Sequence, residues 1–137
     1  RLAMFARVLA HTGELGWLHP ASGRFRPVAF LPGFLRGLAF AGRCAVVGSS
    51  RPRSGGDFDD LPLSDRLRQE GRAADCAALV VDLVTGQPRH RLTVGANVDE
   101  LYDVGLIPGI GNPRLLRPHD EDLSFFLRPR LRASKPG

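Results

Sequence analysis

Lysine is almost missing from this sequence. Of its 19 Lys and Arg residues only Lys135 is a lysine, so arginine carries the positive side of a formal net charge of +5. The two cysteines, Cys44 and Cys76, are too few for a disulfide scaffold. No apolar stretch approaches the roughly 18 residues of a membrane-spanning helix, and residues 1–10 lack the apolar core and cleavage site of a signal peptide. We therefore expect no membrane partner and a cytoplasmic location.

The abundance of arginine has two interpretations. Arginine binds carboxylates and phosphates through two parallel hydrogen bonds, which would favour it for contacts with anions. A GC-rich genome would also enrich arginine, alanine, glycine and proline together, and all four are abundant here. We favour the second interpretation. Acidic residues are scattered among the arginines, so we expect no specific nucleic-acid partner.

Glycine and proline are plentiful, with 16 and 11 residues among 137. Both interrupt regular structure, which argues against long helices and favours short strands joined by turns. We predict an all-β fold of antiparallel meanders with one short helical excursion. Hairpins are predicted around the PASG turn, around Ala41-Gly42 and around the VTGQ turn, and one more apolar strand is predicted over 99–111.

An insertion over 51–75 separates the second hairpin from the third. Its first part is rich in glycine and aspartate, which indicates a loop. The motif SDRLRQEGR follows and predicts a short helix within 61–71. Ser64 is expected to cap this helix at its start, and Gly71 to end it.

The first and third hairpins resemble each other when Gly23 is aligned with Gly86, 63 residues later. Without the insertion of about 25 residues the period is near 40, which is the range of a four-stranded propeller blade. We predict a partial β-propeller-like fold of about two blades. Because a closed propeller has at least about four blades, we expect a fragment whose partners are the missing blades or another copy of itself.

Five motifs carry a family resemblance, which covers residues 12–113. They are TGELGWLHPASGRFRPVAFLPGFLRGLAF, GRCAVVGSSRPR, LPLSDRL, CAALVVDLVTG and ELYDVGLIPGIGNP. As a set they resemble an uncharacterised bacterial family of conserved hypothetical proteins, the TIGR03032 group, which is close to the DUF4915 proteins. The resemblance implies a longer propeller-like parent and no established activity. The chain departs from it at Cys76-Ala77-Ala78-Leu79, where the family has Cys-Gly and then an aromatic residue.

The pattern divides the chain into three parts. Residues 1–11 form a divergent N-terminal segment, residues 12–113 form the propeller-like β domain with its insertion at 51–75, and residues 114–137 form an irregular basic tail. The tail is expected to be solvated.

Three arginines form the candidate ligand site. Arg36 lies where its strand begins, and Arg51 and Arg53 follow the end of the next strand. In a hairpin Arg36 would lie across from residues 48–50, so all three would gather at one end of the sheet. Such a cluster binds a small anionic ligand or pairs with the acids of the DFDD motif, and we favour the ion pairs.

The acids offer an alternative site. Asp60, Glu100 and Asp103 are the candidates for acid–base chemistry, which needs carboxyl groups whose pKa values are pushed apart. The DFDD motif, with Asp57, Asp59 and Asp60, lacks the ligand spacing of a calcium loop. We interpret it as a solvated loop.

The remaining residues predict no metal and no cofactor. His11, His19, His90 and His119 have no metal-ligand spacing, and no phosphate-binding or nucleophile motif is present. Cys44 and Cys76 are interpreted as small apolar residues of neighbouring antiparallel strands. They would lie at opposite ends of that pair, too far apart for a disulfide.

Three functions remain open. We favour a binding or scaffold piece without catalysis, whose ligand would lie at Arg36, Arg51 and Arg53. The second is a hydrolase or lyase that uses carboxylates on a propeller face. The third is a truncated copy with no function of its own.

Overall fold

The computed structural model describes residues 4–53, 58, 60–95 and 97–111, and its elements are short strands with one helix. All elements belong to one compact unit that ends at Leu106, and a second unit begins at Ile107. The elements in chain order are β1 Phe5–Leu9, β2 Glu14–Leu18, β3 Phe25–Phe30, β4 Phe34–Ala41, β5 Cys44–Ser50, α1 Pro62–Glu70, β6 Ala77–Asp82 and β7 Pro88–Thr93.

The strands form two antiparallel meanders. The first sheet has the order β1-β2-β3 and the second has the order β4-β5-β6-β7. The all-β prediction is therefore confirmed, and the three predicted hairpins are β2–β3, β4–β5 and β6–β7. A four-stranded antiparallel meander is also the unit of a propeller blade, but the propeller arrangement itself stays a prediction.

Two segments differ from the sequence prediction. The N-terminal segment, to which no strand was assigned, contains β1, which pairs with β2. The prediction of a strand over 99–111 is wrong, because the described residues there form no strand. Part of this segment is instead tied to β5 by a side chain: the Ser50 hydroxyl bonds to the N–H of Leu101 at 3.0 Å and to its carbonyl at 3.2 Å. These bonds replace a strand ladder.

The helix α1 begins and ends at residues that explain its length. Leu61 is the N-cap and Pro62 starts the helix, where the missing N–H of proline costs no hydrogen bond. Gly71 ends it in the left-handed conformation, as predicted. Ser64 was predicted as the cap and is not. It lies in the first turn, is buried, and donates its hydroxyl to the Phe58 carbonyl at 2.8 Å.

The insertion folds back onto the first sheet through α1. Leu63 is fully buried, and its N–H donates to the His11 carbonyl at 3.0 Å in the turn between β1 and β2. Arg66 bonds to Glu14 at 3.1 Å and lies over the Phe30 ring at 3.8 Å. The helix therefore closes one end of the β1–β3 sheet.

The β2–β3 and β6–β7 hairpins share the same turn. The N–H of Gly23 donates to the His19 carbonyl at 2.9 Å, and the N–H of Gly86 donates to the Asp82 carbonyl at 2.8 Å. Both glycines have positive φ, 66° and 73°, a conformation that residues other than glycine rarely adopt. The similarity seen in the sequence thus extends to backbone hydrogen bonds.

The side chains of the two turns also correspond. The Ser22 hydroxyl accepts from the N–H of Arg24 at 3.4 Å, and the Thr85 hydroxyl accepts from the N–H of Gln87 at 3.3 Å. His19 and Asp82 hold the same position. The Nδ1 of His19 contacts the Ser22 hydroxyl at 2.9 Å, and Asp82 accepts from turn N–H groups. The contact between His19 and Ser22 is therefore a turn contact.

The two sheets share one apolar core. Inward-facing residues alternate along β5 and β6, which is the pattern of strands with one buried face. In β6, Ala77, Leu79 and Val81 are buried, whereas Ala78 and Val80 between them are only half-buried. The core cluster consists of Leu15, Leu31, Leu35, Ala45, Val47, Ala77, Leu79 and Val81.

Truncating a core side chain should destabilise both sheets together. Leu35 is 2% exposed, so we expect Leu35→Ala to lower the free energy of unfolding by about 2–5 kcal/mol through lost burial and a cavity. Val84 is 76% exposed, and Val84→Ala should change it by less than about 0.5 kcal/mol. Urea unfolding measures both.

The single tryptophan, Trp17, lies on β2 and reports on the first sheet. Leu35 lies on β4 in the second sheet. Leu35→Ala should therefore shift the Trp17 fluorescence transition and the far-UV circular dichroism transition to the same lower urea concentration. A fluorescence transition that stays at the wild-type midpoint would contradict the shared core.

Candidate functional site

A β-bulge at Gly37 positions the first residue of the candidate site. Arg36 pairs with Gly48 and Leu38 pairs with Val47, so Gly37 is an extra residue in β4. Its φ of 71° is left-handed, and a Cβ there would lie 2.5 Å from the N of Val104. Glycine is required on both grounds. The bulge breaks the alternation of β4 beside Arg36, at the end of the sheet.

The three arginines gather at this end of the second sheet, around one cavity. Phe34 and Ser50 are partners at the end of the β4–β5 ladder, and the chain continues from Ser50 into Arg51 and Arg53. The cavity has a volume of about 370 Å³. We call it the arginine pocket, and it is lined by Phe34, Arg36, Ser50, Arg51, Pro52, Arg53, Phe58 and Glu100.

The carboxylates that hold the arginines come from residues 99–100. Arg53 forms a two-pronged contact with Glu100, with Nε at 2.6 Å from Oε1 and Nη2 at 3.4 Å from Oε2. Arg36 lies 3.9 Å from the same carboxylate. Arg51 bonds to Asp99 twice. Its Nε lies 2.6 Å from the Asp99 carboxylate, and its backbone N–H donates to the Asp99 carbonyl at 2.9 Å.

These partners differ from the acids expected from the sequence. Ion pairs with the DFDD motif were predicted, but Asp57 and Asp59 lie outside the described residues. Asp60 is exposed at the start of the α1 segment and forms no ion pair with a described residue. Glu100 was instead considered as part of a separate acidic site. The arginine cluster and that acidic candidate thus share one residue.

Aromatic rings complete the arginine pocket. Phe34 and Phe58 are stacked, with ring centroids 5.9 Å apart and an interplanar angle of 29°. The Arg36 guanidinium lies 5.1 Å from the Phe34 centroid and 5.0 Å from that of Tyr102. The Tyr102 hydroxyl accepts from Arg53 at 3.0 Å. The pocket therefore combines flat apolar surfaces with oriented N–H donors.

The electrostatics of the arginine pocket favour an anion. Within its described lining, three arginines face one carboxylate, Glu100, and outside the lining Asp99 pairs with Arg51. The pKa of Glu100 is lowered, first by its hydrogen bond with Arg53 and then by Tyr102, against the opposing effect of desolvation. Glu100 is therefore ionised at neutral pH. The side chain of Arg53 is 69% exposed, so its guanidinium remains within reach of a ligand.

The alternative acidic site has no acid–base pair in the structure. Glu100 is held by arginines, Asp60 is exposed, and Asp103 is exposed and accepts from the N–H of Val104 at 2.8 Å. Asp103 caps the backbone beside Gly37, where its Oδ1 would lie 2.7 Å from an added Cβ. Glu100 and Asp103 are therefore held by structural contacts, and Asp60 is exposed to solvent.

The described cysteines and histidines show no arrangement that indicates catalysis. Cys44 and Cys76 are free, and the pairing of Cys44 with Asp82 places them at opposite ends of β5 and β6. Burial raises the pKa of the Cys76 thiol, which opposes thiolate formation. His11 and His90 are exposed and His19 is half-buried. His119 lies outside the described residues.

Neither a metal-binding cluster nor a membrane-spanning helix is found among the described residues. No group of three His, Cys, Asp or Glu side chains there is placed to hold a metal ion. No helix there has the length and apolar character needed to cross a membrane.

A buried charge cluster at the end of β6 was not foreseen from the sequence. Asp82, at the end of β6, is fully buried and is shared by Arg43, through Nε at 3.0 Å, and Arg89, through Nη2 at 2.7 Å. It also accepts from the N–H groups of Val84 and Thr85. The pKa of Asp82 is held far below its usual range, first by Arg43 and then by Arg89. Aspartate before a turn is a common sequence feature, and only that signal was present.

Comparison with known proteins bears on the family alone. A family model described as a domain of unknown function (DUF4915) matches residues 7–116. No curated protein and no solved structure matches the chain.

Asp82 should make stability depend on pH. Its folded pKa lies below the ordinary value of about 3.9, so it stabilises the fold above pH 4 and this contribution is lost as the pH falls through the folded pKa. We expect Asp82→Asn to lower the urea midpoint strongly at pH 7 and much less near pH 2. A deficit of equal size at every pH would contradict a role for the Asp82 charge.

Proposed function

Because the chain belongs to the family described as a domain of unknown function (DUF4915), we propose a function from the site itself: the protein is a binding domain that takes a small anionic ligand in the arginine pocket. The observation that carries this proposal is the convergence of Arg36, Arg51 and Arg53 around one cavity. Its volume of about 370 Å³ falls within the range of about 300–1,000 Å³ that is usual for small-molecule sites.

The lining supports a proposal for the kind of anion. Phe34 and Phe58 offer a flat apolar surface, and the Arg36 guanidinium lies over the rings of Phe34 and Tyr102. A planar ring would add to this stack, while its anionic group would accept from the guanidinium groups. We therefore propose a flat molecule that bears a carboxylate or a phosphate.

The existing ion pairs prepare the arginine pocket for such a ligand. Glu100 holds Arg53 through two parallel contacts and draws in Arg36. An arginine has five N–H donors, so Arg53 can keep Glu100 and still donate to a ligand. Because the guanidinium groups are oriented in advance, less side-chain entropy is lost when the ligand binds.

Binding is favoured over catalysis by the state of Glu100. A general acid must hold a proton near neutral pH, whereas the pKa of Glu100 is lowered by Arg53. The other two acidic candidates, Asp60 and Asp103, are exposed rather than shielded from water. The hydrolase or lyase alternative therefore has less support than the binding domain.

We also propose a propeller-like scaffold and a cytoplasmic location. The scaffold is supported by the four-stranded meander β4–β7 and by the turn that recurs at Gly23 and Gly86. The location is supported by the two free thiols, Cys44 and Cys76, which reducing compartments preserve.

Anion binding should depend on the arginines in a defined way. With phenyl phosphate as the probe, we expect Arg36→Ala and Arg53→Ala each to weaken binding about tenfold, since each removes a charged donor. Arg36→Lys should restore only part of the affinity, because lysine lacks the planar fork. Inorganic phosphate should bind more weakly than phenyl phosphate. Isothermal titration calorimetry measures all of these affinities.

Two further variants separate binding from stability. Glu100→Gln removes a negative charge that repels the ligand but keeps an oxygen that can accept from Arg53, so it should strengthen phenyl phosphate binding. Arg24→Ala, an exposed change in the β2–β3 turn, should leave it unchanged. The proposal is wrong if neither Arg36→Ala nor Arg53→Ala alters binding while both lower the free energy of unfolding. The cluster would then be purely structural.

A further inference from the structure

A second cavity lies between the two sheets, at the β7 side of the molecule. Its volume is about 570 Å³. Its floor is apolar, with Phe30, Leu31 and Leu79, and its rim is polar, with Arg72, Asp75, Arg89, His90 and Arg91. We call it the β7 cleft. Its lining shares no residue with that of the arginine pocket.

The strand beside the cleft is an edge strand. Among the described strands β7 pairs only with β6, and all six of its residues are exposed. An edge strand presents N–H and C=O groups along its free side, which another extended chain can pair with. Leu92 on this strand is 69% exposed, which is unusual for a leucine in a sheet.

The register of β7 assigns its side chains to two faces. Arg91 pairs with the core residue Leu79 and so lies on the cleft face. Leu92 pairs with Ala78 and lies on the opposite face. The bulge between Val80 and Val81 places Arg89 outside this alternation, and Arg89 reaches Asp82.

Arginines outnumber carboxylates in the described lining of the β7 cleft. Arg72, Arg89 and Arg91 line it together with one carboxylate, Asp75. Arg91 is held by Asp75, and its side chain is 50% exposed. Arg72 lies 5.7 Å from the Phe30 ring centroid and 3.6 Å from Glu70, and is 47% exposed. The guanidinium groups are therefore oriented and still reach solvent.

We propose that the β7 cleft binds an acidic peptide segment, which adds to β7 as a further strand of the second sheet. Its backbone would pair with the free edge of β7, a mode of recognition in which main-chain hydrogen bonds provide affinity. Alternate side chains would enter the cleft, where Arg72 and Arg91 select carboxylates. The other side chains would lie beside Leu92, so the preferred sequence alternates acidic and apolar residues.

The charged edge explains why the partner must be acidic. The arginines of β7 discourage pairing between two copies of this strand, because like charges would meet. An acidic strand removes that repulsion. Specificity here comes from rejecting basic and neutral strands as well as from attracting acidic ones.

A labelled eight-residue peptide in which Glu and Val alternate is the direct probe. By fluorescence anisotropy we expect the wild-type protein to bind it, and Arg72→Ala and Arg91→Ala each to weaken binding about tenfold. Arg24→Ala, at the corresponding turn of the other sheet, should not affect it. The equivalent peptide with Lys in place of Glu should not bind. Circular dichroism establishes that each variant is folded.

A backbone-methylated peptide distinguishes strand addition from simple charge attraction. It keeps the Glu side chains but lacks the N–H donors on one edge, so its binding should be largely lost. Hydrogen exchange should show alternate amides of β7 becoming protected by the unmodified peptide. Equal binding of the methylated peptide, or unchanged exchange in β7, would overturn the proposal. So would binding that survives Arg72→Ala and Arg91→Ala together.

Discussion

The packing of the two sheets against each other is the contact on which the rest of the structure depends. Each sheet is a single layer with one apolar face, and a single layer cannot bury that face alone. Leu15 of the first sheet and Leu35 and Val47 of the second are buried in one cluster. The β7 cleft exists because this packing stops short of β7, where Leu31 and Leu79 are met by arginines instead of further apolar residues.

The arginine pocket follows from a sequence of local causes. Gly37 permits a bulge that no other residue would fit, and the bulge lies beside Arg36. The same glycine leaves room for the backbone of Asp103 and Val104 to cross the sheet. That crossing brings Glu100 to Arg36 and Arg53. A side chain at position 37 would therefore displace both Arg36, its neighbour in β4, and the segment that carries Glu100. It would disturb the ion pairs although position 37 is not among the residues that line the pocket.

The sequence was sufficient for the hairpins but not for the charge contacts. Alternating apolar residues and Gly turns are local signals, so β2–β3, β4–β5 and β6–β7 could be predicted, and with them the position of Arg36 across from Gly48. The partners of the arginines are 47 or more positions away in the chain. They depend on the path of residues 99–106, part of the segment 99–111 that was predicted as a strand because of its apolar residues.

Asp82 shows a second limit of sequence reasoning. Its turn could be recognised from Thr85 and Gly86, and the equivalent turn carries His19 in the same place. Nothing in the local sequence shows that this aspartate is buried, because its burial depends on Arg43, 39 positions away. The exchange of His19 for Asp82 between two otherwise matching turns was visible, but only the pairing of β5 with β6 gives it meaning.

The near-absence of lysine acquires a physical meaning from these contacts. The interpretation by codon bias concerns only the number of arginines. Their arrangement, in which two arginines share one carboxylate at both Asp82 and Glu100, is a feature of the structure. Sharing of this kind requires planar groups with several donors, which can approach the same carboxylate from different directions. An ammonium group is a compact, strongly hydrated charge and is less suited to it. At both carboxylates the planar arginine side chains have more N–H donors than these shared contacts require.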